Sequence, residues 1–199
     1  MPNKQLFIGI TGGIGSGKTT VCRVFEVLGA KTYYADDRAK MLMHSDEKLV
    51  SQIKELFGEE AYVDGKLDRK YIAEKVFKDD ALLEKLNGLV HPAVGMDVEQ
   101  WRNENPDADL LLKEAALLFE TGSYKALDKN ILVTAPEEVR IERVVSRDKH
   151  RNRSDVKAII DKQMSDEEKR PLADYVVNND GSESIIKQVM KIYQELVVT

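Results

Sequence analysis

A short apolar run, Leu6 to Ile10, stops at the glycine-rich stretch Thr11 to Gly17, and a helical spacing begins at Lys18. A run of this length bounded by glycine reads as a buried strand. Val21, Cys22, Val24, Phe25 and Leu28 then form one apolar helix face, closed by Gly29. A second strand is expected over Lys31 to Ala35, ending at Asp36 and Asp37. From about residue 38 to 104 the pattern is helical throughout, with Leu49, Ile53, Leu56 and Phe57 on one face, Gly58 as a stop and a turn at Asp64-Gly65. Short apolar runs return at Leu110 to Leu112 and Ile131 to Thr134, with Ala116 to Phe119 a strand or a loop. Charged helices are expected from Glu137 to Lys169, a strand at Tyr175 to Val177, a turn at Asn178 to Gly181, and a last amphipathic helix carrying Ile185, Ile186, Val189, Tyr193 and Leu196.

Continuous short apolar strands alternating with helices predict an α/β fold, a three-layer arrangement around a parallel sheet covered on both faces. The 199 residues suit one domain with an inserted helical lobe over about 38–104 and a helical lid over about 137–170. Repeats, low-complexity tracts and linkers are absent from the sequence. Hydrophobic residues at 42% and charged residues at 33% are an ordinary globular balance. The apolar run behind Met1 to Gln5 is too brief for a signal segment or a membrane span, so the chain reads as cytoplasmic. The single cysteine, Cys22, permits no internal disulfide and no cysteine-cluster metal site; it lies in an apolar stripe and reads as a buried thiol. A net charge of −5 argues against general nucleic-acid binding, while leaving room for a local basic patch around a small phosphorylated ligand.

The residues Gly12-Gly13-Ile14-Gly15-Ser16-Gly17-Lys18-Thr19 match G-x-x-x-x-G-K-[ST] in the setting that motif requires, after a strand and before a helix. Glycines let successive backbone N–H groups point at phosphate oxygens, and the helix amino end adds a positive dipole. Lys18 is expected to bridge the β- and γ-phosphates, and Thr19 to place its hydroxyl on Mg²⁺. The alternative is a glycine-rich turn without a ligand. A dinucleotide fingerprint is excluded, because the position three after Gly15 is Lys18 and not glycine.

Switches and motors share this loop, so other residues must choose among them. The guanine-reading N-K-x-D and D-x-x-G elements are missing, and the apolar strands end in the single carboxylates Glu114 and Glu120, not in an acidic pair. A small-molecule kinase needs a carboxylate near the acceptor hydroxyl and cations on a closing segment. Asp36, at the carboxyl end of the second strand, is the candidate base, with a helix N-cap as the alternative reading; Asp37 fits a cap or a surface position. Arg140, Arg143 and Arg147 recur at helical spacings and share one face, extended by Lys149, Arg151 and Arg153. These cations either close on the transferring group or form a solvated face paired with Glu137, Glu138, Glu142 and Asp148.

Several separated segments resemble the dephospho-coenzyme A kinase family over about the whole chain. The family's T-G-G-I-G-S-G-K-[ST]-T is reproduced from Thr11 to Thr20. Tyr34-Ala35-Asp36 is similar to its next signature, with Asp36 at the catalytic-base position and Tyr34 replacing the usual first aspartate. Asp64 to Arg69 resembles D-G-x-L-[ND]-R, and Leu86 to Pro92 resembles L-N-x-[IL]-x-H-P. Ala116 to Glu120 resembles P-L-L-F-E with alanine for proline, and Glu114 stands where an aspartate is common. Gln163-Met164 and Ala173-Asp174 through Asn179 resemble the closing elements.

The resemblance implies ATP as donor, Mg²⁺, and phosphorylation of the ribose 3′-hydroxyl of dephospho-coenzyme A to coenzyme A. It further implies Lys18, Asp36, Arg143 and Arg147 in catalysis, and residues 12–20 with Asn179 on the nucleotide. Arg69, His91, Phe119 and Glu120 become acceptor contacts beside Asp36. Arg140 stands where the family often has glutamine and receives no role; His91 before Pro92 reads, without the resemblance, as a turn or structural histidine. No nucleic-acid, membrane or obligate protein partner is expected. Another small-molecule kinase, acting on a nucleoside or nucleotide, and a nucleotide-dependent binding module without turnover are the remaining alternatives.

Overall fold

The computed structural model describes residues 5–77 and 79–197, so the reading of Met1 to Lys4 lies outside them. Along the chain the elements are β1 (Leu6–Thr11), α1 (Lys18–Val27), β2 (Lys31–Tyr34), α2 (Ala35–Ser45), α3 (Glu47–Phe57), β3 (Tyr62–Val63), β4 (Lys66–Leu67), α4 (Arg69–Val76), α5 (Asp80–Asn103) and β5 (Leu110–Glu114). They continue as β6 (Lys129–Thr134), α6 (Glu137–Arg147), α7 (Arg153–Ile160), α8 (Asp166–Lys169), β7 (Tyr175–Asn178) and α9 (Ile185–Val197). The chain divides into two compact units, one formed by Met1–Tyr34 with Asn105–Thr199 and the other by Ala35–Glu104.

The first unit is built on a five-stranded sheet in the order β2-β5-β1-β6-β7, with every pairing parallel. Its central strand β1 is buried from Phe7 to Thr11, as a strand covered on both faces must be. On one face Ile8, Ile10, Leu112, Ile131 and Val133 meet Val21, Cys22 and Phe25 of α1 and Val189, Ile192 and Leu196 of α9. Burying such a side chain is worth roughly 1.5–3 kcal/mol, which explains why the α1 and α9 stripes recur at three and four residues. Burial pushes the Cys22 thiol far up from its ordinary range, with the carboxylate of Glu114 adding to the effect. This thiol is therefore inert, as its place in the stripe predicted.

The second unit packs Leu42, Leu49, Ile53, Phe57, Ile72, Val90 and Ala93 into its own core. Asp46, Asp68 and Asp79 cap α3, α4 and α5, each accepting backbone N–H groups at 2.9–3.0 Å. Two expectations are corrected in this unit. It is not helical throughout: the Asp64-Gly65 turn joins the small antiparallel pair β3 and β4. His91 and Pro92 do not form a turn, because both lie inside the long helix α5.

Candidate active site

The register of the sheet sets the edge at which the loop forms. Ile10 lies opposite Glu114 on one side and Ile131 on the other, and Glu114 in turn lies opposite Tyr34. Beyond Thr11 the loop curls, with the Ser16 N–H donating to Gly13 O at 3.2 Å. Gly17 enters α1 at φ 100°, a left-handed conformation that a side chain disfavours, and a Cβ there would overlap the Asn179 amide. The Lys18 ammonium folds back over the loop, donating to Gly12 O at 3.0 Å and lying 3.6 Å from Glu114 Oε1. The Ser16 hydroxyl is buried without a partner among the described residues, while Thr19 and Thr20 are exposed in the first turn of α1. An unpartnered hydroxyl, a folded-back cation and the amino end of α1 are together the features of an anion cradle.

Asn179 lies against this loop and Arg143 against Asn179. The Asn179 N–H donates to Thr134 O at 2.8 Å, and its side-chain amide donates to Ser16 O at 2.7 Å. Arg143 Nη2 donates to Asn179 O at 3.0 Å and to Asn179 Oδ1 at 3.2 Å, whereas its Nη1 is buried with no partner. Arg147, one turn further along α6, is exposed. The three arginines lie on one side of α6 but do not share one environment. Arg140 is buried, with its Nε donating to Ile14 O at 3.0 Å. Arg151 and Arg153 pair with Asp148 and Glu138 on the surface. A cavity of about 640 Å³, lined in part by Thr134, Arg140, Gln163, Asp166, Asn178 and Asp180, opens beside these elements. In its wall burial pushes the Asp166 carboxyl up from the usual carboxylate range, and the nearby charge of Arg140 pulls it part of the way back.

Phe119 and Glu120 follow β5 in a loop, so Ala116 to Phe119 is not a strand. Phe119 is buried and stacks edge-on to Tyr124 at 5.1 Å. Glu120 Oε1 accepts the Met164 N–H at 3.2 Å and lies 3.0 Å from Nζ of Lys169, a fully enclosed lysine. Although that separation makes an ion pair, the ammonium makes no well-directed hydrogen bond among the described residues. Sequence reasoning missed Lys169, since nothing in the charged run from Asp166 to Arg170 marks one residue as interior.

Asp36, Arg69 and His91 belong to the other unit and are all exposed. The second strand ends at Tyr34 and α2 starts at Ala35, so Asp36 lies within the first turn of the helix. The N-cap alternative is thereby excluded. Its neighbour Asp37 pairs with Lys40 at 2.7 Å, while Asp36 has no side-chain partner among the described residues. Arg38 is gripped by both oxygens of Asp97, at 2.7 and 2.5 Å, which ties the start of α2 to α5.

A lysine-bearing glycine loop with an arginine-bearing helix bonded around it, in a chain lacking guanine-reading elements, defines the class as a P-loop kinase. The comparisons narrow the class. The family model for dephospho-CoA kinase matches residues 6–184. A dephospho-CoA kinase of Salinibacter ruber is 44% identical over 178 residues, covering 88% of this chain and 89% of that relative. A crystal structure of a Thermus thermophilus protein superposes with a TM-score of 0.86 at 36% identity, covering 96% of this chain and 97% of the other. Dephospho-CoA kinase from Campylobacter jejuni superposes with a TM-score of 0.69 at 27% identity, covering 96% of each chain. The chain belongs to the dephospho-CoA kinase family, and the family is one of ATP-dependent kinases acting on a small molecule.

Proposed function

We propose that this chain transfers the γ-phosphoryl group of ATP to the ribose 3′-hydroxyl of dephospho-coenzyme A, giving coenzyme A and ADP, the last step of coenzyme A biosynthesis. The observation that carries the reading is the curled loop with Lys18 folded over Gly12, in a chain of this family. Phosphoryl transfer asks for positioning and charge neutralisation more than for covalent chemistry. Of the loop over residues 12–20, the N–H groups that are not already bonded within the fold hold the phosphates, the Ile14 and Ser16 N–H groups being taken by Gln163 Oε1 and Gly13 O, and Lys18 neutralises the β- and γ-oxygens. Arg143 suits the same task, because its buried Nη1 lacks a partner that a phosphate oxygen supplies. Arg147 adds a second cation, and Asn179 contacts the nucleotide near adenine. Asp36 takes the proton of the acceptor hydroxyl. Arg69 and His91, with Phe119 and Glu120, make acceptor contacts, Glu120 while held by Lys169.

The donor set also suits Mg²⁺. Among the described residues no group of three or more His, Cys, Asp or Glu side chains is arranged to hold a metal by itself. Mg²⁺ is commonly bound by one or two protein oxygens, phosphates and water, so the exposed Thr19 hydroxyl would serve as its protein ligand. When bound it neutralises charge on the transferring phosphate. No helix among the described residues is long and apolar enough to cross a membrane; a cytoplasmic setting belongs to the same proposal and rests on the use of ATP. The segment over about 137–170 closes over the phosphates and excludes water in this reading. The test is transfer from labelled ATP to dephospho-coenzyme A with Mg²⁺, with AMP and adenosine competing. Formation of coenzyme A in preference to other products is expected; ATP binding with no labelled coenzyme A would overturn the acceptor assignment and leave the nucleotide loop standing.

A further inference from the structure

Arg140 is the most enclosed arginine of α6, and the residue to which the family resemblance assigns nothing. Three observations converge on its contact with the loop. Its Nε donates to Ile14 O at 3.0 Å, while the Ile14 N–H donates to Gln163 Oε1 at 2.9 Å, so both backbone groups of one loop residue are taken by this segment of the fold. The Ile14 side chain packs with Ile141, Val144 and Val156 of α6 and α7. A Cβ at Gly13 would overlap the Arg140 guanidinium, and one at Gly15 would overlap the Arg140 carbonyl, so the loop glycines are shaped around this residue. Arg140 Nη1 also lies 3.8 Å from Asp166 Oδ1, with both side chains largely buried.

A glycine-rich loop has more backbone freedom to lose than any other, and whatever order it lacks beforehand must be imposed when the ligand binds. A rigid guanidinium can hold the Ile14 carbonyl, cover Gly13 and face Asp166 in one geometry. Glutamine can make the first contact but carries no charge for Asp166. Resting on the reading that the loop binds ATP, we propose that Arg140 is a positioning residue of the phosphate loop. It acts through Ile14 and Gly13 to preset the curl and to tie the loop to the Gln163–Asp166 segment, so that nucleotide affinity depends on it.

The experiment is calorimetric titration of full-length Arg140→Met, Arg140→Lys, Gly13→Ala and the double variant Gly13→Ala/Arg140→Met with a non-hydrolysable ATP analogue, alongside steady-state kinetics and melting. Loss of a charge-assisted hydrogen bond corresponds to roughly a tenfold rise in Kd for Arg140→Met. KM for ATP should rise in step, with KM for the acceptor changed less than about twofold and kcat at saturating ATP within about threefold. Gly13→Ala should give a comparable rise, the double variant should fall well short of the product of the two, and Arg140→Lys should recover only part of the loss. A residue that merely supports the fold would lower the melting temperature and the active fraction without moving Kd. Should Arg140→Met not fold, Arg140→Lys and Gly13→Ala carry the test. Wild-type affinity in either folded variant overturns the proposal, whereas wild-type protein that fails to bind the analogue overturns the ATP reading beneath it.

Discussion

Glu120→Gln separates two roles that one carboxylate can hold. Lys169 is fully enclosed, and Glu120 Oε1 at 3.0 Å is the charge that faces it. The same oxygen accepts the Met164 N–H, and Glu120 Oε2 is buried without a partner. Glutamine keeps the shape and can still accept from Met164, so the substitution removes charge and little else. Leaving one member of a buried pair uncompensated costs about 3–5 kcal/mol. In a chain of this size 1 kcal/mol moves the melting temperature by about 2–4 °C, so a fall of roughly 6–20 °C is expected.

Calorimetry is the suitable assay, since the chain has two compact units and the shift belongs to the transition of the unit holding the sheet. Replacing both partners, as Glu120→Leu/Lys169→Met, removes both enclosed charges and should return most of the loss, giving a coupling of at least about 2 kcal/mol. A melting temperature for Glu120→Gln within about 2 °C of wild type would refute the argument that this pair ties the loop after β5 to α8. If the acceptor KM alone rose, Glu120 would be a contact and not a tie.

Four further substitutions test other parts of the site. Lys18→Ala should remove most transfer, about a hundredfold or more in kcat/KM, and weaken ATP binding in titration, because the folded-back ammonium is the loop's own cation. Asp36→Asn should lower kcat by about 10²–10⁴ while ATP affinity stays within about twofold; full activity would sink the base assignment. Gly17→Ala should destabilise by about 1–3 kcal/mol from its left-handed backbone, read as a lower midpoint in urea, and should weaken ATP binding by displacing Asn179. Asp68→Ala, which strips the cap of α4, should cost about 1 kcal/mol in the same urea assay with kcat unchanged.

What the sequence disclosed and what it hid follow one physical division. The loop, the parallel strands and the α1 and α9 stripes are local patterns, and each reached the structure with its boundaries moved by a few residues at most. In the sheet unit two candidate residues are held by backbone groups, Asn179 on Ser16 O and Arg143 on Asn179 O, contacts between distant segments that no local pattern discloses. The hairpin from Tyr62 to Leu67 escaped notice because strands of two residues carry no periodicity, leaving only its turn visible. His91-Pro92 misled because proline disfavours a helical conformation at the residue before it, yet α5 runs through both.

The arginines show why periodicity alone could not finish the site. Spacing places Arg140, Arg143 and Arg147 along one side of α6, but a helix that meets a loop at its first turn and solvent at its last gives that side three environments. Arg140 meets Ile14, Arg143 meets Asn179, and Arg147 is exposed. Position along the helix, not angle around it, therefore divides their work. The residue nearest the loop has its Nε committed to the Ile14 carbonyl, a bond that ties the first turn of the helix to the loop itself. Arg140 is consequently suited to shaping the cradle, Arg143 with its unpartnered Nη1 to a phosphate oxygen, and Arg147 to a ligand that arrives from solvent. A helix face read from sequence predicts which residues share a side; only the loop's docking decides which of them is left a free donor.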